Sequence, residues 1–130
     1  MIIDSSALVA ILEKEPEALR LTTAISGSAT RMLPASCLLE TSMILVGRRG
    51  PQGALDLDLY NYRSRIEIVP FTESQAQIAR IAFARYGKGR HPAGLNFGDC
   101  MAYALAKETG EELLFKGTDF AQTDIAVASY

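Results

Sequence analysis

The sequence predicts a three-layer α/β/α domain around a central, mainly parallel sheet of four to five strands. Two observations lead there. Short apolar runs at residues 1–4, 30–33, 66–69 and 113–115 alternate with longer stretches whose apolar positions recur at helical spacing. Turn-forming residues at Gly27-Ser28, Gly50-Pro51, Gly87 and Gly110 separate them. At 130 residues, 48% hydrophobic and 22% charged, the chain has the size and composition of one domain, residues 1–130. It carries no linker, internal repeat or low-complexity segment.

Taken in order, Met1-Ile2-Ile3-Asp4 reads as a short buried strand, with Ser5 or Ser6 as the N-cap of an apolar helix through Leu12. Pro16 suits the first turn of a second helix over residues 17–25. A strand at 30–33 leads through Pro34 into a strongly apolar helix that ends near Gly47. Leu55, Leu59 and Tyr62 then recur at helical spacing, with Asp56 and Arg63 on other faces. After a strand at 66–69, Thr72 and Gln75 match a capping box. The helix they open has Ala76, Ala79, Phe83 and Tyr86 along one side and stops at Gly87. Residues 87–96 make a long loop rich in Gly, Pro and basic side chains. A helix over 97–109 ends at Gly110, and residues 113–115 and 125–128 supply a fourth strand and a weak fifth. The spacing of Phe97 and Tyr103 assigns both to the core.

A domain of this length buries roughly two thirds of the surface its unfolded chain exposes, so a metal would serve chemistry, not support the fold. Cys37 and Cys100 are too few for a disulfide framework and are expected to be reduced and buried. A net charge of −2 excludes coating nucleic acid by bulk charge. Phosphate contacts would come from local patches: Arg48-Arg49, or Arg85 with Lys88, Arg90 and His91. The apolar start has no basic leader and runs into Glu13-Lys14-Glu15, unlike a secretory signal. No apolar run approaches the roughly 20 residues that cross a bilayer, so a cytoplasmic protein without a membrane partner is expected.

Four acids carry the functional signal. Asp4, Glu40, Asp99 and Asp119 each stand nearly alone among apolar or small residues, where an uncompensated charge is costly. In a parallel sheet, ligands gather beyond the carboxyl ends of the strands. Asp4 ends the first strand and Asp119 follows the fourth by a short turn, while Glu40 and Asp99 are expected to face the same crevice from their helices. Each acid also has a plain structural role open to it: Asp4 as a helix cap, Asp99 at a helix N-terminus, Asp119 in an Asx-type turn. Glu40, in mid-helix, gains nothing from capping.

Carboxylates brought together repel unless a cation neutralises them. All-oxygen ligands select a hard ion, Mg2+ or Mn2+, over zinc, since His91 is the only histidine and the cysteines are not spaced as a zinc pair. Magnesium that borrows substrate phosphate oxygens points to phosphodiester hydrolysis by a metal-activated water. No G-x-S-x-G elbow is present, and the glycines of residues 87–94 follow a helix, contrary to phosphate-loop contexts.

With Met1-Ile2-Ile3-Asp4, the lone Glu40, Asn96-Phe97-Gly98-Asp99 and Lys116-Gly117-Thr118-Asp119-Phe120 in this order, the chain resembles PIN-domain ribonucleases. Among them it is most like the VapC-type toxins of type II VapBC toxin-antitoxin systems, and the block of residues 89–100 is distinctive of one branch. The resemblance spans essentially the whole chain. It implies a PIN-like fold and a magnesium-dependent endoribonuclease inhibited by a cognate VapB-type antitoxin. Asp4 and Asp99 would be the main metal ligands, with Glu40 and Asp119 completing the catalytic acids through waters or a second ion. Thr118 would orient a carboxylate or a substrate phosphate.

Lys88, Arg90 and His91 are candidates for holding RNA phosphates. Surplus apolar surface on the early helices, at Leu8, Ile11, Leu12, Leu19 and Leu21, suits an antitoxin groove or a homodimer face as well as core. Two other readings compete. A receiver-like phosphoacceptor domain needs an aspartate ending the third strand, where this chain has Pro70. A non-catalytic PIN-like binding module would keep the scaffold without the chemistry.

Overall fold

In the structure, a computed structural model that describes residues 1–130, four short strands form one parallel sheet. They are β1 (Ile2–Ile3), β2 (Met32–Pro34), β3 (Glu67–Val69) and β4 (Leu113–Leu114), in the spatial order β3-β2-β1-β4. Register pairs Ile2 with both Met32 and Leu113, and Leu33 with Ile68. The chain thus builds outward from β1 to β3 and then crosses back to add β4 on the other side of β1. That reversal is a topological switch point, and it lies between the strands that carry Asp4 and lead to Asp119.

Six helices complete the α/β/α layers: α1 (Ser5–Leu12), α2 (Ala18–Gly27), α3 (Ala35–Arg49), α4 (Gln52–Arg63), α5 (Glu73–Tyr86) and α6 (Phe97–Thr109). α6 packs on β1, β2 and β4, while α3 packs on β2 and β3. Ile2, Ile3, Leu33, Leu113 and Leu114 are wholly buried between the layers with Leu8, Leu45 and Leu105. The central strand β1 and its neighbour β4 bury apolar side chains on both faces, as a sheet covered on both sides requires, while the edge strand β3 is exposed at Glu67 and Ile68. Gly110 ends α6 in the left-handed conformation, φ 72°, which a residue without Cβ adopts freely.

Several expectations are corrected. The N-cap of α1 is Asp4 itself, not Ser5 or Ser6. α3 runs through Gly47 to Arg49, since helical backbone tolerates an exposed glycine. The fifth strand reduces to a single bridge between Leu113 and Val127. Only half of the Thr72 capping box forms: Thr72 Oγ1 accepts the Gln75 N–H, but the Gln75 side chain turns away to Glu108. In α4 the buried positions are Gly53, Leu57 and Asn61, leaving Leu55, Leu59 and Tyr62 exposed. α5 likewise buries Gln75, Ala82 and Tyr86 and leaves Phe83 open. Tyr103 is core as expected, but Phe97 is 82% exposed.

Candidate active site

The backbone passes from strand to helix at Asp4. Its N–H still donates to Leu114 O at 2.9 Å, continuing the β1–β4 ladder, while its side chain already caps α1. Oδ2 accepts the Ser6 N–H at 2.9 Å and the Ser6 hydroxyl at 2.6 Å. The capping role is therefore real, yet it occupies one oxygen. Oδ1 meets only the Cys37 thiol, at 3.9 Å. Asp4 is 3% exposed, and burial pushes its carboxyl upward against the Ser6 hydrogen bonds that favour the anion.

Glu40 reaches the same place from α3. Its Oε2 accepts the Ser5 hydroxyl at 2.9 Å, so consecutive serines at the start of α1 serve two different acids. Gly98 passes so close that a Cβ there would stand 2.8 Å from Glu40 Oε2. Asp99 occupies the third position of α6, inside a capping box with Asn96. Asp119 follows β4 on an exposed turn just before a 3-10 turn, Phe120–Gln122, and its side chain makes no capping bond. The Asx-turn role open to it in the sequence is not used.

The charges of the other three acids act on Asp99. Asp99 is raised to about 6, first by burial and then by the charges of Asp4, Asp119 and Glu40, against the favourable Asn96 backbone bond. The Cys37 thiol is pushed well up by burial and by Asp4 and Glu40, and Cys100 is pushed up to about 11 by burial and Asp99. Both cysteines are free and buried, as expected. None of the ion pairs in the structure includes any of the four acids, so this concentration of negative charge has no basic partner.

No three Asp, Glu, His or Cys side chains close into a cage around an ion. Glu40 lines a shallow surface pocket with Phe97 and Gly98, Asp4 is buried, and Asp119 is exposed. Their chemistry fits a hard cation that keeps part of its water shell: oxygen donors only, the thiols held protonated, and His91 engaged in its own turn through the Ala93 N–H.

The basic candidates divide. Arg48 pairs with Glu13, and Arg49 pairs with Glu13 and Asp56, so those guanidiniums serve the α1–α3–α4 junction. Lys88 and Arg90 are exposed on a loop closed by the Gly87–Leu95 bridge, without acidic partners. The Arg90 guanidinium lies 6.0 Å from the Phe83 ring centroid. Phe83 in turn lines a groove of about 600 Å³ with Phe71, Phe97, Cys100 and Met101. The groove's lining includes Cys100, which follows Asp99 in the chain, and none of the four acids. Thr118 is exposed next to Asp119.

Sequence reasoning treated Ser5 and Ser6 only as caps and missed their hydroxyl contacts to Glu40 and Asp4. The available signal was two hydroxyl residues immediately after an acid that ends a strand.

Comparisons with known proteins agree with this architecture. The PIN domain family model matches residues 1–126. Ribonuclease VapC30 of Mycobacterium tuberculosis is 46% identical over 129 residues, covering 99% of this chain and 98% of the relative. Two solved structures share the fold at low identity. One is M. tuberculosis VapC20, a sarcin-ricin loop cleaving toxin, with TM-score 0.79, 15% identity and coverage of 98% and 97%. The other is VapBC2 of Rickettsia felis bound to a promoter DNA fragment, with TM-score 0.75, 15% identity and coverage of 99% and 97%.

Proposed function

Because the chain belongs to the PIN-domain family and is a VapC-type ribonuclease, we propose that it is a toxin that hydrolyses RNA phosphodiesters with Mg2+, or Mn2+, at Asp4, Glu40, Asp99 and Asp119. One observation carries this reading: the Asp99 carboxyl feels the charges of the other three acids, and no basic side chain pairs with any of them. Asp4 and Asp99 are the ligands. Oδ2 of Asp99 is tied to the Asn96 N–H and Oδ2 of Asp4 to the Ser6 N–H and hydroxyl, while Oδ1 of Asp4 has only the long Cys37 thiol contact. A cation bound there lowers the pKa of water and stabilises charge on the phosphodiester. Glu40 and Asp119 flank this pair as further acceptors for water protons. Thr118, Lys88 and Arg90 contribute a hydroxyl and two unpaired cations for RNA phosphates.

The surplus apolar surface expected on the early helices is mostly core: Leu8 and Leu21 are buried, Ile11 and Leu12 pack against that core, and Leu19 alone is largely exposed. Other exposed apolar faces therefore support the proposed partners. A VapB-type antitoxin and a second copy of the chain are the proposed occupants of the exposed apolar faces: Leu55, Leu59 and Tyr62 on α4, and the Phe71–Phe83–Phe97 groove. The R. felis neighbour is itself a VapBC complex. No helix is long and apolar enough to cross a membrane, in keeping with the proposed cytoplasmic location.

The test is cleavage of RNA by purified protein with and without divalent ion. Cleavage should need added Mg2+ or Mn2+, stop with chelator, and vanish in Asp4→Asn and Asp99→Asn while the far-ultraviolet dichroism of both variants matches wild type. Chelator-resistant cleavage that survives rigorous purification overturns the metal assignment.

A further inference from the structure

A hydroxyl has one proton to give and lone pairs to receive. Ser6 Oγ uses both functions, and its partners fix the direction of each bond without reference to hydrogen positions. The Lys116 backbone N–H, which can only donate, lies 3.0 Å from Ser6 Oγ. The Asp4 carboxylate, which can only accept when ionised, lies 2.6 Å away on the other side. That second distance is in the range of a charge-assisted O–H···O bond.

From this geometry we propose that Ser6 is a positioning residue for the acidic site, a role that rests on the metal-dependent reading above. Ser6 gives Oδ2 of Asp4 a second donor beside the Ser6 N–H, so the carboxylate cannot rotate without losing both bonds. Oδ1 is thereby held in place with only a long thiol contact. Ser6 Oγ also accepts the backbone N–H of Lys116, the first residue of Lys116-Gly117-Thr118-Asp119. One hydroxyl therefore ties the end of β1 to the segment that carries the fourth acid. Capping does not require it. The cap of α1 uses the Ser6 N–H, which any residue supplies, so the hydroxyl has a role separable from helix formation.

The experiment compares wild type, Ser6→Ala and Ser6→Thr by Mn2+ binding without RNA, read as the loss of the free-Mn2+ paramagnetic resonance signal, and by cleavage kinetics at saturating Mn2+. Ser6→Ala should weaken Mn2+ binding roughly tenfold and lower kcat with little change in KM for RNA, the size typical of removing a hydrogen bond behind a metal ligand. Ser6→Thr, which keeps the hydroxyl, should recover most of both. Equal Mn2+ affinity in wild type and Ser6→Ala overturns the proposal while leaving metal dependence intact. A wild type that binds no Mn2+ overturns both. If Ser6→Ala does not fold, Ser6→Thr decides alone: affinity near wild type supports the proposal, and a folded variant with lost affinity overturns it.

Discussion

Asn96 and Asp99 hold each other across the first turn of α6: Asn96 Oδ1 accepts the Asp99 N–H at 3.0 Å, and Asp99 Oδ2 accepts the Asn96 N–H at 2.9 Å. This reciprocal cap satisfies two backbone donors at the helix start and fixes the carboxylate that feels the other three acids. Asn96→Ala should therefore cost about 1 kcal/mol in urea unfolding and also lower RNA cleavage, because Asp99 loses its orientation. Asn96→Ser should restore most of the stability. Identical unfolding midpoints for Asn96→Ala and wild type would show that the cap contributes nothing.

Gly98→Ala should separate activity from stability. Its Cβ would arrive 2.8 Å from Glu40 Oε2, too close to persist, and the end of a glutamate moves cheaply. The fold should therefore survive, with a thermal midpoint close to wild type. Moving the Glu40 carboxylate breaks its bond to Ser5 and shifts an acid of the site. A displacement of this kind can cost up to about 100-fold in rate. Unchanged cleavage by Gly98→Ala would remove Glu40 from the mechanism.

Much of the fold and of the site was legible because both rest on local chemistry. The strand at Ile2–Ile3, the helix break at Gly110 and the isolation of Glu40 in an apolar helix can all be read from neighbouring residues. Orientation was harder. Leu55, Leu59 and Tyr62 look like the buried stripe of α4, but the helix lies against α3 through Gly53, where the absence of a side chain permits a closer approach than any leucine would. Phe97 misled for a related reason: helical spacing reports a face, and only the tertiary arrangement decides whether that face is covered. The serine contacts were illegible because the partners of Ser5 and Ser6, at Glu40 and Lys116, are 35 and 110 residues away.

The stability of the metal-free protein should fall as pH rises from about 4 to about 7, in part through Asp99. Its carboxyl is raised from 3.8 to about 6 in the folded state, so folding favours the protonated form. That contribution is complete below the unfolded value and is lost as pH rises through about 6. Asp4 is raised as well and acts with the same sign. Asp124 lies outside this window, since the Tyr103 hydroxyl and Lys107 hold it down to about 2. Urea unfolding in chelator across this pH range should show a shallower decline for Asp99→Asn than for wild type. Parallel curves would mean that Asp99 does not titrate there.

Gly53 and Gly47 offer a paired test of how α3 and α4 meet. A Cβ at Gly53 would lie 2.5 Å from Leu45 O and 2.6 Å from Leu45 C, both backbone atoms of a fully buried residue. Neither can yield without moving a helix, so Gly53→Ala should destabilise by about 1–3 kcal/mol, the usual cost of overpacking. Gly47, on the exposed side of α3, has nothing within 4 Å of an added Cβ. There alanine restricts the unfolded chain and suits the helix, so Gly47→Ala should stabilise by roughly 0.5–1 kcal/mol. Opposite signs in urea unfolding are expected from one chemical change on two adjacent helices. A neutral Gly53→Ala would mean that α4 can slide away from Leu45, and the exposure of Leu55, Leu59 and Tyr62 would then no longer follow from this contact.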